Sequence, residues 1–139
     1  MPKQFTLDKS ERLKSRKQIE KLFEKGKGFN MPPYRIYYLA ESEPVIKVDK
    51  DVLQFGTGVS NKNFKRAVDR NRIKRLTREA WRLQKNELKE KLKLSNKHLN
   101  IFFIYTGKEL PDFVTVKEKV AVVLKKLDER IDENIAKNS

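Results

Sequence analysis

Cations suited to binding a polyanion are concentrated in one segment of this sequence. Residues 62–85 hold ten Lys or Arg and two acids, a net charge of +8 within the +14 of the whole chain. At about 100° per residue, one side of a helix over this segment carries Ile73, Leu76, Ala80 and Leu83. The far side carries Asn71, Lys74, Arg75, Arg78, Arg82 and Lys85. This spacing predicts a helix that docks by its apolar side and presents cations to a nucleic acid.

Three alternative roles for this basic helix fit its residues less well. A solvated helix face usually alternates the signs of its charges, whereas only Asp69 and Glu79 are acidic here. A basic zipper requires a leucine every seven residues, but positions 90 and 97, which follow Leu83 at that spacing, are Glu and Lys. A helix on a membrane surface needs large apolar residues facing lipid, and those of this helix are required for the core.

Two residues of the basic helix, Trp81 and Arg72, keep more than one interpretation. Arg70 and Trp81 lie at the boundary between the apolar and the cationic side. The Trp81 ring either completes the core or stacks on a base. Arg72 lies off the cationic side, where it either pairs with a carboxylate or braces the loop before the helix.

The composition predicts one folded domain over residues 1–139, with a core over about residues 10–135 and mobile ends. Hydrophobic and charged residues each make up 37% of the chain, which contains eight Phe, four Tyr and one Trp. Cysteine is absent, which excludes disulfides, thiolate nucleophiles and cysteine metal sites. The apolar runs are too short to span a bilayer, and the start lacks an apolar signal segment. These features predict a soluble cytoplasmic protein, a monomer on its own, without a membrane partner.

The sequence offers no coherent catalytic or metal-binding set. His98 is the only histidine and lies in a basic turn before an apolar strand. Asp49 and Asp51 lie in a polar loop without further ligands nearby, so we interpret them as solvated. The acids near the end of the chain fall on the outer face of a helix; they are Asp128, Glu129, Asp132 and Glu133. We therefore predict no catalytic residue and no metal ligand in the polypeptide.

Helices and strands alternate before the basic helix. Ser15 and Gln18 form the pattern of a capping box, which predicts a helix to about Lys25 with Gly26 just past its end. A strand is predicted over residues 34–40, whose alternation places on one face Tyr34, Ile36 and Tyr38. A second strand is predicted over residues 52–60, where two glycines leave one face bare. At Gly56 and Gly58 we expect either the close approach of another backbone or a bulge.

The second half of the chain completes an α/β fold. The basic helix is predicted over about residues 65–91. Residues 99–106 form the most apolar strand, which we expect at the centre of the sheet. A final helix over about residues 115–135 buries one face, formed by Val116, Val120, Val123, Leu124, Leu127 and Ile131. Helices packed against one sheet make the fold class α/β.

The basic helix resembles the Arg-Asn-Arg signature of the protein subunit of bacterial ribonuclease P. The matching run over residues 67–79 reads Ala-Val-Asp-Arg-Asn-Arg-Ile-Lys-Arg-Leu-Thr-Arg-Glu. The resemblance extends over roughly residues 10–130, and it includes Arg12-Leu13-Lys14 before the first helix and the strand end Val59-Ser60-Asn61-Lys62. Two departures are visible: the loop over residues 61–66 is one residue longer than in many members, and Ile19 stands where relatives often have Phe.

The resemblance implies a single-domain α/β sandwich with about four strands, three helices and a left-handed strand–helix–strand crossover around the basic helix. In this family the RNA subunit performs the chemistry, a Mg²⁺-dependent endonucleolytic hydrolysis that removes the 5′ leader from precursor tRNA. The Mg²⁺ is expected to be held mainly by RNA. The chain is thus expected to be the protein component of ribonuclease P in tRNA processing, with the RNA subunit and precursor tRNA as partners.

The resemblance also implies two sets of residues that contact RNA. Contacts with RNA phosphates and sugars are expected from Lys62, Lys65, Arg66, Arg70, Asn71, Arg72, Lys74, Arg75, Arg78 and Arg82. The single-stranded leader is expected in a cleft lined by Ile19, Phe23 and Tyr37. The alternative function is a general RNA-binding or ribosomal-type protein without a dedicated catalytic RNA, which accounts for the charge and the fold but not for the Arg-Asn-Arg run.

Overall fold

The computed structural model describes residue 7, residues 9–41 and residues 52–138, with side chains as far as residue 132. A 3-10 turn over Lys9–Glu11 precedes the regular elements, which are α1 (Arg16–Lys25), β1 (Lys27–Met31), β2 (Tyr34–Glu41), β3 (Leu53–Val59), α2 (Ala67–Gln84), α3 (Asn86–Ser95), β4 (His98–Tyr105) and α4 (Phe113–Asn138). The predicted loop acids Asp49 and Asp51 lie outside the described residues, as do residues 1–6. None of the helices in the described ranges has an apolar stretch of membrane-spanning length.

Four strands form one mixed sheet in the order β1-β2-β4-β3. β1 pairs with β2 and β2 with β4 in antiparallel fashion, whereas β3 pairs with β4 in parallel. The predicted central position of the apolar strand β4 is therefore confirmed. Parallel neighbours require a crossover connection, and α2 and α3 provide it between β3 and β4. The left-handed sense of this connection stays a prediction.

The basic segment forms two helices, so the described residues contain four α-helices where three were expected. α2 ends at Gln84 and α3 begins at Asn86. The prediction that Lys85 belongs to the cationic side is also wrong, because its side chain is only 2% exposed and forms an ion pair with Glu11. Lys85 belongs instead to a buried stripe that runs from α2 into α3 and also contains Trp81, Leu88 and Leu92. This stripe meets the N-terminal 3-10 turn, whose carboxylate provides Lys85 with a partner that the helix pattern alone does not reveal.

The main core lies between one face of the sheet and the helices α2 and α4. Trp81 is fully buried, and its ring stacks on Phe55 with centroids 4.8 Å apart. Of its two interpretations, the core position is therefore the observed one. The predicted apolar face of α4 is confirmed, since all of its residues are buried except Leu124, which is half-buried.

The opposite face of the sheet is covered only in part, by α1 and the segment before it. α1 begins as predicted, with the Gln18 amide donating to the Ser15 hydroxyl at 3.5 Å. The Leu13 amide donates to the Phe55 carbonyl oxygen at 2.8 Å, which fixes the N-terminal segment along β3. Leu13 and Leu22 are buried beneath this cover. We call the remaining sheet surface the open face, because its described residues Tyr37, Phe102 and Ile104 are only half-buried.

Candidate nucleic-acid interface

The loop between β3 and α2 is held in place by Arg70. Its guanidinium donates to the carbonyl oxygens of Phe64 and Lys65, both at 2.8 Å. The Phe64 ring is buried and stacks on Tyr105 at 6.0 Å. Asn63 donates to the carbonyl oxygens of residues 106 and 107 at 3.1 and 3.3 Å. The brace that sequence analysis considered for Arg72 is therefore made by Arg70.

This anchored loop and the outer side of α2 form one cationic surface, which we call the basic ridge. Its exposed members are Lys62, Lys65, Arg66, Asn71, Arg72, Arg75 and Arg78, and its half-buried members are Arg70, Lys74 and Arg82. All ten sequence-predicted RNA-contacting residues thus lie on helix α2 or in its leading loop. Arg82 is ion-paired with Glu79, so its charge is partly compensated.

The start of α2 adds partial positive charge to the basic ridge. Arg66 precedes the helix without a side-chain hydrogen bond that caps the first turn. The amides at a helix N-terminus carry partial positive charge and favour anions. Lys65 and Arg66 flank these amides and are exposed. Backbone amides and these side chains therefore favour phosphate at the same place, opposed in part by Asp69 of the first turn.

A second candidate surface, the aromatic cleft, lies on the open face of the sheet between α1 and the strands. Phe23 of α1 is 42% exposed and meets Tyr37 edge-on, with ring centroids 4.9 Å apart. Its ring also lies 5.4 Å from Phe102 of β4. Ile19 lies one helical turn before Phe23 and is half-buried. The structure thus brings the predicted cleft residues onto one side of the sheet and adds Phe102.

Phe102 is not among the predicted cleft residues, because the apolar run over residues 99–106 indicates only a buried strand. The alternation of a strand would have indicated its position. Ile101 and Phe103 are buried against the helices, whereas Phe102 points to the opposite face and is half-buried. Phe102 pairs in register with Tyr37 of β2. Residues paired in register lie on the same face of a sheet, so one ring predicts the position of the other.

The two bare glycines of β3 make room for the Phe102 ring. Gly56 pairs with Phe102 in a regular parallel register, so the predicted bulge is absent here. The expected backbone approach is present, since a Cβ atom at Gly56 would lie 3.3 Å from the Leu13 carbonyl oxygen, but the Phe102 ring comes closer still. A Cβ atom at Gly56 would lie 2.7 Å from Cδ2 of Phe102. At Gly58 the nearest atom, Cε1 of Phe102, would lie 3.3 Å away.

We expect Gly56→Ala to displace the Phe102 ring and to cost about 1–3 kcal/mol of stability, the usual range for overpacking. Binding of a single-stranded oligoribonucleotide should weaken together with stability, because the cleft loses its floor. Urea unfolding and fluorescence anisotropy measure the two effects. Gly58→Ala is the matched control with a smaller expected loss, and equal stability of the two variants would contradict the assignment of the ring to this contact.

Two acidic residues of α4 are engaged in structural ion pairs. Asp128 and Asp132 of α4 lie 2.8 and 2.5 Å from Nζ of Lys91 in α3. Although burial lowers the pKa of Lys91, its hydrogen bonds to the two carboxylates raise that pKa overall. The described residues contain no group of three or more His, Cys, Asp or Glu side chains placed to hold a metal ion. These acids therefore connect α3 to α4.

Comparison of the sequence with known proteins identifies its relatives. The Ribonuclease P family model matches residues 7–128. The chain is 37% identical over 137 residues to the ribonuclease P protein component of Porphyromonas gingivalis, a match that covers 99% of this chain and 97% of that relative. It is 32% identical over 123 residues to the ribonuclease P protein component of Chlorobium phaeobacteroides, a match that covers 84% of each.

The fold is similar to that of a solved protein. The Staphylococcus aureus RNase P protein matches with a TM-score of 0.60 at 22% identity, over 86% of this chain and 96% of that chain. A mutant of the Staphylococcus aureus protein matches with a TM-score of 0.63 at 21% identity, over 88% of this chain and 92% of that chain. Together with the family match over residues 7–128, the shared fold leads to one conclusion: the chain belongs to the ribonuclease P protein family.

Proposed function

We propose that the basic ridge binds the ribonuclease P RNA and that the aromatic cleft holds the 5′ leader of precursor tRNA. As a member of this family, the chain is the protein component of an endoribonuclease and has an RNA partner. The assignment of each surface to one RNA rests on the physical difference between the two surfaces, one cationic and helical, the other aromatic and open.

The basic ridge has the chemistry required for a folded RNA. A guanidinium donates two parallel hydrogen bonds to a phosphate, and Arg72, Arg75 and Arg78 are exposed along α2. Asn71 is exposed beside them and both donates and accepts hydrogen bonds. Arg70 fixes the leading loop from below. The helix and this fixed loop set the backbone positions of the cations before RNA binds, so less backbone entropy is lost on binding.

The single observation that carries the cleft assignment is the exposed, edge-on arrangement of Phe23 with Tyr37 and Phe102. Most other aromatic rings of the described chain are buried in the core. Single-stranded RNA is bound by aromatic rings that stack on bases and by nearby cations that contact phosphates. Arg35 provides such a cation, since its guanidinium lies 5.1 Å from the centre of the Tyr37 ring.

The metal, the assembly and the location follow from the same proposal. Mg²⁺ supplies the hydrolytic chemistry and is held mainly by the RNA, while the chain positions substrate phosphates near it. The core shared by the sheet with α2 and α4 supports one RNA-binding domain. A net charge of +14 disfavours association of free copies, which supports a monomer. Precursor tRNA as substrate supports a cytoplasmic location.

We expect Tyr37→Ala to weaken binding of precursor tRNA to the holoenzyme by about fivefold to 150-fold, because stacking contributes about 1–3 kcal/mol per base. The holoenzyme is reconstituted from this chain and a bacterial ribonuclease P RNA, and leader release is followed at low Mg²⁺. The loss should occur with a long leader and disappear when the leader is shortened to one nucleotide.

Tyr37→Phe is the matched control, since it keeps the ring and should retain most of the affinity. An equal loss for long and one-nucleotide leaders would contradict the cleft assignment. If the wild-type chain does not stimulate leader release by the RNA subunit and binds many RNAs alike, that result favours the general RNA-binding function instead.

A further inference from the structure

A second group of cations lies at the edge of the sheet formed by β1. The strand order places β1 at one edge and β3, next to α2, at the other. We call the group the β1-edge cations, and its members are Lys27, Arg35, Lys126 and Arg130. None of them belongs to the basic ridge or to the sequence-predicted cleft.

On the cleft face, Arg35 is held over the ring of Tyr37. Its Cζ atom lies 5.1 Å from the centre of the Tyr37 ring, and Nη1 donates to the Asn30 side-chain oxygen at 3.1 Å. Gly28 of β1 lies beneath the guanidinium, and a Cβ atom there would be 3.0 Å from Nη2 of Arg35. The bare glycine therefore lets the guanidinium lie across β1 at the rim of the cleft.

On the other face of β1, two cations of α4 lie over Phe29. Nζ of Lys126 and Cζ of Arg130 are 4.9 and 5.0 Å from the centre of its ring. Arg130 also donates to the Tyr38 hydroxyl at 2.9 Å. Lys27 is exposed and precedes Phe29 by two residues, which places it on the same face of β1. Cations thus occupy both faces of one five-residue edge strand.

The charges of these four residues are not compensated by ion pairs with other described residues, whereas several other cations are. Lys21 pairs with Glu41 at 2.9 Å, and Lys91 pairs with two aspartates. A charged edge strand by itself serves to block pairing with another sheet. That role does not require Arg35, which lies on the cleft face over a ring proposed to bind RNA.

We propose that single-stranded RNA leaving the aromatic cleft continues over the β1 edge, where Arg35 and then Lys27, Lys126 and Arg130 bind its phosphates. This inference rests on the proposed function of the cleft. Neighbouring strands lie about 4.8 Å apart, so the β1 edge is one strand spacing from Tyr37 of β2. A leader that stacks on Tyr37 therefore reaches Arg35 next, and a longer leader reaches the cations of α4.

The test compares leaders of about four and about twelve nucleotides, lengths typical of small and large single-stranded footprints, in the reconstituted holoenzyme. The double variant Lys27→Ala and Lys126→Ala should lose affinity for the long leader only. At about 0.1 M salt we expect roughly fivefold for each lost contact, since the binding constant scales as about the −0.7 power of salt per phosphate. The charge reversals Lys27→Glu and Lys126→Glu should enlarge this loss.

Lys93→Ala is the matched control, because Lys93 is exposed on α3 next to Glu90 and away from the sheet edge. Thermal unfolding of each variant measures whether the fold is retained. Unchanged long-leader affinity in both double variants would overturn the inference, and so would an equal loss with the short leader of about four nucleotides. If Tyr37→Ala still removes the leader dependence in that case, the cleft assignment stands and only the β1-edge path fails.

Discussion

Replacing Arg72, Arg75 and Arg78 together by Ala should lower the affinity for ribonuclease P RNA by roughly 100- to 500-fold at about 0.1 M salt. All three side chains are exposed on α2. Each lost phosphate contact removes about 0.7–0.9 from the slope of log K against log salt, which corresponds to about fivefold to eightfold at this salt concentration. Filter binding of the RNA subunit at several salt concentrations measures both the affinity and the slope.

The arginine variants have two useful controls. The triple Arg→Lys variant keeps the charges, so the salt slope should remain. Its affinity should still fall, because Lys lacks the bidentate fork, but by less than in the triple Ala variant. Arg82→Ala should have a smaller effect than any exposed arginine, because Arg82 is ion-paired with Glu79 in the free protein. An unchanged slope in the triple Ala variant would show that these residues do not contact phosphate.

Glu11→Gln should destabilise the protein by about 3–5 kcal/mol, the usual cost of removing one partner of a buried ion pair. Glu11 and Lys85 are each 2% exposed and form an ion pair, and Lys89 lies 3.3 Å from the same carboxylate. Without this carboxylate, the ammonium of Lys85 would be buried without a compensating charge. Urea unfolding measures the loss as a lower midpoint.

The double variant Glu11→Gln and Lys85→Met separates the buried charge from the packing around it. Removing both charges should recover most of the lost stability, since apolar replacement of a buried pair is often nearly neutral. A double variant as unstable as Glu11→Gln would show that the carboxylate acts by holding the N-terminal segment against α3 through Lys89, rather than by compensating Lys85. The hydrogen bonds of Leu13 and Gln54 also fix this segment and do not involve the replaced side chains, so they are common to both variants.

Local spacing in the sequence was sufficient for most elements and for the basic ridge. Ser15 begins a helix, residues 34–40 alternate as a strand, and the α4 stripe repeats at helical spacing; the structure confirms all three. Each of these patterns acts between residues a few positions apart. The helical period likewise needs only one helix to place Lys74, Arg75, Arg78 and Arg82 on one side, which is why these cations could be interpreted without the fold.

Contacts between residues distant in the chain were decided only by the tertiary structure. Lys85 continued the cationic pattern, but Glu11, 74 residues away, provides its buried partner. Phe102 joins the aromatic cleft because β4 pairs with β2 and faces bare glycines in β3. The helical period indicates which residues share a side of a helix, but it carries no information about what packs against that side. The sequence alone therefore determined the ridge and its family, whereas the fold decided the cleft floor and the buried ion pair, because both depend on which strands and turns become neighbours in space.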